Sequence, residues 1–189
     1  DGERRHFGPV AMTFETAYSV LDTVRAPAGT DSAIHDAAVE LAYRAVDAMD
    51  GVGVFGVELF VLADGRVRIN EISPRVHNAG HYTLEACASS QFEQHLRAVA
   101  GLPLAATDLE RPAAMKNILC TEALLREGHE RDAARELQPD GAAVYWYGKS
   151  PARLMRKLGH ITATGEDAAA ALTVAERHWQ NLQSEAAST

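Results

Sequence analysis

The sequence predicts an α+β fold in two lobes, and three observations carry that reading. Two stretches with helical apolar stripes, residues 30–51 and 83–104, flank a pair of β-rich runs joined at Asp64-Gly65. A looser stretch, "AATDLERP" at 105–112, then reads as a boundary. Beyond it come three more strand-like runs and a last helix.

Taken in order, the first thirty residues, through "YSVLDTVRAPAG", read as one or two strands ending in a Pro/Gly turn. "TDSAIHDAAVELAYRAVDAMDG" opens on the capping residues Thr30, Asp31 and Ser32. It sets Ile34, Ala38, Leu41, Ala42, Ala45 and Met49 on one face and stops at Gly51. "VGVFGVELFVLADGRVRINEIS" is a hairpin. "TLEACASSQFEQHLRAVAGLPL" is a second helix, striped by Leu84, Ala88, Phe92, Leu96 and Val99 and ended by Gly101 and Pro103. "AAMKNILC", "AAVYWYGK" and "KLGHITATG" are strands. The last helix runs from Glu166 towards Ser184, packing Leu172, Ala175 and Trp179, with a frayed tail "SEAAST".

Composition sets limits. The 189 residues are 47% hydrophobic and 23% charged, as in an ordinary globular protein. A net charge of −8 argues against a generic nucleic-acid or anionic-membrane binder, so an anionic ligand needs a local basic cluster. No run approaches a bilayer span, and "DGERRHFGPV" is no signal peptide. Cys87 and Cys120 read as reduced core thiols, which suits the cytoplasm. The chain starts without methionine on the turn signal Asp1-Gly2, and is expected to be a fragment.

With Asp64-Gly65 as a two-residue turn, Ala63 faces Arg66 and, counting back, Glu58 lies opposite Glu71. Opposed side chains share a sheet face about 5 Å apart, where two like charges destabilise the sheet. Either one is protonated, a basic group intervenes, a cation bridges them, or both are simply solvated. The same face carries Gly56, Phe60, Ile69 and Ser73, a largely apolar setting. Hard oxygen ligands with open positions suit magnesium, which takes one or two carboxylates plus phosphate oxygens.

After Glu71 comes "SPRVHNAGH", in which alternation carries Ser73, Arg75 and His77 to the side of Glu71. Arg75 can fork onto an oxyanion or pair with a glutamate. His77 can donate to an anion or move a proton; His81 reads as structural. Further on, Lys149, Arg153, Arg156 and Lys157 form a basic run without an acid, either a phosphate site or a solvated face.

"GVFGVELFV", "INEISPRVHNAGHYTLEACASSQFEQHLRAVAGLPL", "YWYGK" and "RKLGH" together resemble the 5-(carboxyamino)imidazole ribonucleotide synthetases, ATP-grasp enzymes of bacterial purine biosynthesis. The resemblance implies the C-terminal half of an ATP-grasp fold, an antiparallel sheet flanked by helices over residues 1–105. A small α/β C-terminal lobe would follow over 106–189. It implies ATP and Mg2+ as cofactors, with Glu58 and Glu71 as metal ligands. Asn70 and Glu71 would lie beside the nucleotide and Phe60 near the adenine. Arg75 and His77 would be catalytic, holding bicarbonate. Lys149 and Arg156 would grip the 5′-phosphate of aminoimidazole ribonucleotide, with Asn78 also on the substrate. The implied reaction joins that ribonucleotide, ATP and bicarbonate through carboxyphosphate, in a cytoplasmic homodimer with small-molecule partners, and neither nucleic acid nor membrane.

The sequence departs from the family pattern in places. "FETAYS" lacks the expected Asn/His signature and Asp-Gly pair, and Met155 and Cys120 stand where glycine is usual. A formate-dependent glycinamide ribonucleotide transformylase is the nearest rival, sharing ELF and SPR. It usually reads Pro-His-Asp-Thr-Gly after the arginine, where this chain has "VHNAGHYT". A non-catalytic ligand- or partner-binding module is the rival of another class, and the isolated chain is expected to be inactive.

Overall fold

The computed structural model describes residues 2–126 and 134–188. In chain order its elements are β1 (Ala11–Glu15), β2 (Val20–Ala26), α1 (Ser32–Asp47), β3 (Gly56–Val61), β4 (Val67–Ser73), a 3-10 turn (Asn78–Gly80), α2 (Thr83–Ala86), α3 (Gln91–Val99), β5 (Ala113–Leu119), α4 (Glu122–Arg126), β6 (Ala134–Leu137), β7 (Ala143–Trp146), β8 (Lys157–Thr164) and α5 (Ala168–Ser188). They form two compact units. One comprises residues 1–10 and 26–110, the other 11–25 and 111–189.

The first unit holds the two-stranded sheet β3–β4, with α1 packed on it. Asp31 caps α1 by accepting the Ile34 N–H at 2.9 Å, as the capping residues predict. The β3–β4 turn is one residue longer than expected. Leu62 N–H donates to Arg66 O and Gly65 N–H to Leu62 O, enclosing Ala63, Asp64 and Gly65. Gly65 has φ +81°, a conformation that a Cβ disfavours. This loop shifts the pairing by one residue, so Phe60 faces Arg68. A bulge at Asn70 then shifts it back, so Glu58 still faces Glu71. Between turn and bulge the strand faces are exchanged: Ile69 pairs with Leu59, off the carboxylate face, and Arg68 takes the place expected for Ile69.

The predicted second helix is two helices. Cys87 is extended (φ −117°, ψ 157°) and bridges Leu109, and the chain restarts as α3 behind a Ser90 cap. The predicted stripe consequently faces outward, with Leu96 66% exposed, while Gln91 and Gln94 are buried. The inward face meets irregular backbone whose peptide groups need polar partners. Gln94 Nε2 donates to Ala105 O at 2.6 Å and to Ser89 Oγ at 2.8 Å, and its Oε1 accepts the Ala105 N–H.

The second unit is a six-stranded sheet in the order β1-β2-β5-β8-β7-β6, with α5 against β5 and β8. Strand β5 is buried along its length, and Ile118, Val144, Trp146, Leu158 and Ile161 centre the core. Lys116 in β5 is satisfied by Asp22 of β2, at 2.7 and 2.8 Å to the two oxygens. The short β6 and α4 carry too little pattern to be seen in the sequence, and α5 continues through the tail expected to fray, to Ser188.

Candidate functional site

The carboxylate pair lies at the open end of the β3–β4 ladder. Glu58 is half-buried, and Glu71 is exposed, so the setting is wetter than the apolar one expected. The bulge turns Asn70 towards Glu58, and Asn70 Nδ2 donates to Glu58 Oε2 at 3.1 Å. Ser73 Oγ donates to Glu71 Oε1 at 3.0 Å. His77 Nε2 stands 3.4 Å from Glu58 Oε1. The imidazole reaches there because it lies over a glycine: a Cβ on Gly56 would sit 2.6 Å from His77 Cβ and 2.7 Å from Cγ.

Among the other predicted residues of this unit, Arg75 is exposed, and its Nη1 donates to the neighbouring Val76 O at 3.0 Å. Asn78 opens the 3-10 turn, where its carbonyl accepts the His81 N–H at 3.1 Å. Phe60 is 56% exposed on the Glu58 side of β3, opposite Arg68. Glu58, Asn70, Glu71 and His77 are thus brought together, with Arg75 and Asn78 on the adjoining loop.

The donor set suits magnesium. Two opposed carboxylates supply hard oxygens, and no group of three or more His, Cys, Asp or Glu able to hold a metal exists among the described residues. A site of two carboxylates leaves the remaining positions for phosphate oxygens and water, which is magnesium's usual arrangement.

The second unit holds the basic pair. Lys149 Nζ lies over the Tyr147 ring, 4.9 Å from its centroid, and the Tyr147 hydroxyl is 2.7 Å from His160 Nδ1. Burial, and next the charge of Arg156, lower the Lys149 ammonium below the ordinary lysine value. Arg156 Nη1 donates to Pro151 O at 2.7 Å. Two cations that repel each other at one loop favour an anion between them.

The pattern of residues matches known families in two blocks. Residues 1–92 match the ATP-grasp domain, and residues 113–173 match the phosphoribosylaminoimidazole carboxylase C-terminal domain. The chain belongs to the ATP-grasp N5-carboxyaminoimidazole ribonucleotide synthetase family. The synthases of Synechococcus elongatus and Bacillus subtilis are each 45% identical to it, over 82% and 72% of this chain. Those matches cover 38% and 34% of the two relatives. The Aspergillus clavatus synthase, solved with ADP and 5-aminoimidazole ribonucleotide, superposes with a TM-score of 0.75 at 36% identity. That superposition covers 96% of this chain and 47% of the other. The chain therefore spans about a third of its curated relatives and about half of the solved chain.

Within this ATP-grasp family the antiparallel, helix-flanked architecture is the expected one. Sequence reasoning passed over Arg68 and Gln91. Arg68 was hidden by the bulge, and Gln91 by the helix break, since it becomes the first residue of α3 only once the chain restarts behind Ser90.

Proposed function

We propose that this chain supplies the metal, bicarbonate and ribonucleotide-phosphate residues of an ATP-dependent carboxylation of 5-aminoimidazole ribonucleotide. The observation that carries the reading is the Glu58–Glu71 pair beside His77. The relative from Aspergillus clavatus binds ADP and the same ribonucleotide, which supports nucleotide and substrate here.

Glu58 and Glu71 would hold magnesium, which offsets the charge of the phosphoryl group in transfer. Asn70 donates to one oxygen of Glu58 and Ser73 to one oxygen of Glu71, which fixes the direction of each carboxylate. Arg75 and His77 hold bicarbonate by donated hydrogen bonds, turning an encounter into a positioned attack. One bicarbonate oxygen bonds to the γ-phosphorus as the β–γ bridging bond breaks and ADP leaves, giving carboxyphosphate. The ribonucleotide amine then bonds to the carboxyl carbon, phosphate departs, and the amine's proton is released. Phe60 packs near the adenine, Asn78 contacts substrate, and Lys149 with Arg156 grips its 5′-phosphate. The product is N5-carboxyaminoimidazole ribonucleotide.

We assign the ATP-grasp subdomain to residues 1–105 and the C-terminal lobe to 106–189, and infer a cytoplasmic homodimer for the whole enzyme. No helix among the described residues is long and apolar enough to cross a membrane.

The test is Glu71→Gln in a full-length enzyme carrying this chain. ADP release driven by bicarbonate, and not by formate, is expected to fall by about a thousandfold or more. Unchanged turnover would refute the assignment, and formate as the activating substrate would favour the transformylase.

A further inference from the structure

Gln91 is 2% exposed and takes no part in the metal, bicarbonate or phosphate roles described. Its Oε1 accepts the His77 N–H at 2.9 Å, and its Nε2 donates to the His77 carbonyl at 2.8 Å. Two bonds to one residue's amide and carbonyl admit a single orientation of the side-chain amide. The oxygen must meet the N–H and the nitrogen the C=O. The same Nε2 also meets His81 Nδ1 at 2.9 Å. An amide nitrogen only donates, so His81 Nδ1 accepts. A neutral imidazole that accepts at Nδ1 carries its hydrogen on Nε2.

The clamp is itself fixed at its base. Gln91 N–H donates to Thr83 Oγ1 at 2.9 Å, and Thr83 Oγ1 donates to Gly80 O at 2.7 Å. Gly80 leaves room for it, because a Cβ there would lie 2.5 Å from Gln91 Oε1. The His81 ring is stacked on Phe92, with centroids 5.5 Å apart and planes at 18°. Both ends of the loop from His77 to His81 are thereby tied to one buried amide.

We propose that Gln91 is a positioning residue: its amide sets the loop backbone that aims His77 at Glu58, and it locks His81 as the Nε2–H tautomer. The catalytic consequence rests on the function proposed above, whereas the tautomer does not.

Two measurements decide it. Long-range proton–nitrogen spectra of the 189-residue chain, at mildly alkaline pH, are expected to show His81 protonated on Nε2. In Gln91→Glu a carboxylate oxygen faces Nδ1 instead, and the ring should move to the Nδ1–H tautomer. In a full-length enzyme carrying this chain, Gln91→Glu should raise KM for bicarbonate about tenfold, with KM for ATP changed by less than about twofold. Gly80→Ala, which displaces the same amide without removing it, is the second variant and should give the same split. An Nδ1–H tautomer in the unaltered chain would overturn the clamp. Equal changes in both KM values, or none, would overturn the positioning role. Absence of bicarbonate-dependent turnover in the unaltered enzyme would instead overturn the proposed function, and the imidazole spectrum would then decide the clamp alone.

Discussion

Met155 has φ +61°, in the left-handed region where an L side chain is strained. Its backbone is fixed there from both sides. Met155 N–H donates to Cys120 O at 2.8 Å, and Cys120 N–H donates to Arg156 O at 2.9 Å. The strain thus sits one residue before the arginine assigned to the substrate phosphate, at the position where the sequence resemblance leads one to expect glycine. Glycine removes the Cβ conflict but has more freedom to lose on folding, so the two effects partly cancel. Met155→Gly is expected to stabilise the fold by about 0.5–1 kcal/mol, read as a higher urea midpoint at unchanged slope. A lower midpoint would show that the Met155 side chain packs well enough to outweigh its backbone. A different constraint acts at Gly56, whose hydrogen lies where His77 needs to pass. There glycine serves close approach, with no positive φ involved.

At the scale of the element, Ser90 decides how the second predicted helix breaks. Its hydroxyl accepts the Glu93 N–H at 3.1 Å and starts α3 in a phase that buries Gln91 and Gln94. Removing that bond in Ser90→Ala should cost about 1 kcal/mol of stability in chemical denaturation. A change near zero would mean that the two buried glutamines set the helix start by themselves. This element also shows what was legible in the residues and why some was not. Helix periodicity reports which side chains share a face, but not whether that face turns inward. The Ser90 cap is local, but the backbone that needs polar partners, at His77 and Ala105, lies outside the helix and is brought to that face only by the fold. The hairpin is a similar case. Opposition of Glu58 and Glu71 was readable from the turn, yet the turn is one residue longer and the Asn70 bulge restores the register. The pair came out as expected because two offsets cancel, while Ile69 and Arg68, lying between them, did not. Strands β5, β7 and β8 were legible as runs rich in apolar and β-branched residues, whereas β6 has four exposed residues and no such mark.

At the scale of the whole molecule, each unit carries one half of the proposed chemistry. The unit of residues 1–10 and 26–110 has the carboxylates, Arg75 and His77, and the other has Lys149 and Arg156. The β1–β2 hairpin joins the sheet of the second unit although nearly ninety residues separate it from β5, a long-range pairing that no local pattern announces. The proposed function requires a divalent ion and a nucleotide to bind at the two glutamates that face each other across β3 and β4. Manganese(II) with ADP, added to a full-length enzyme carrying this chain and labelled with nitrogen-15, tests this most directly. Paramagnetic broadening should be strongest at the Glu58 and Glu71 amides and the Asn70 side-chain amide, and should vanish on chelation. Broadening centred elsewhere, with these signals left sharp, would contradict it.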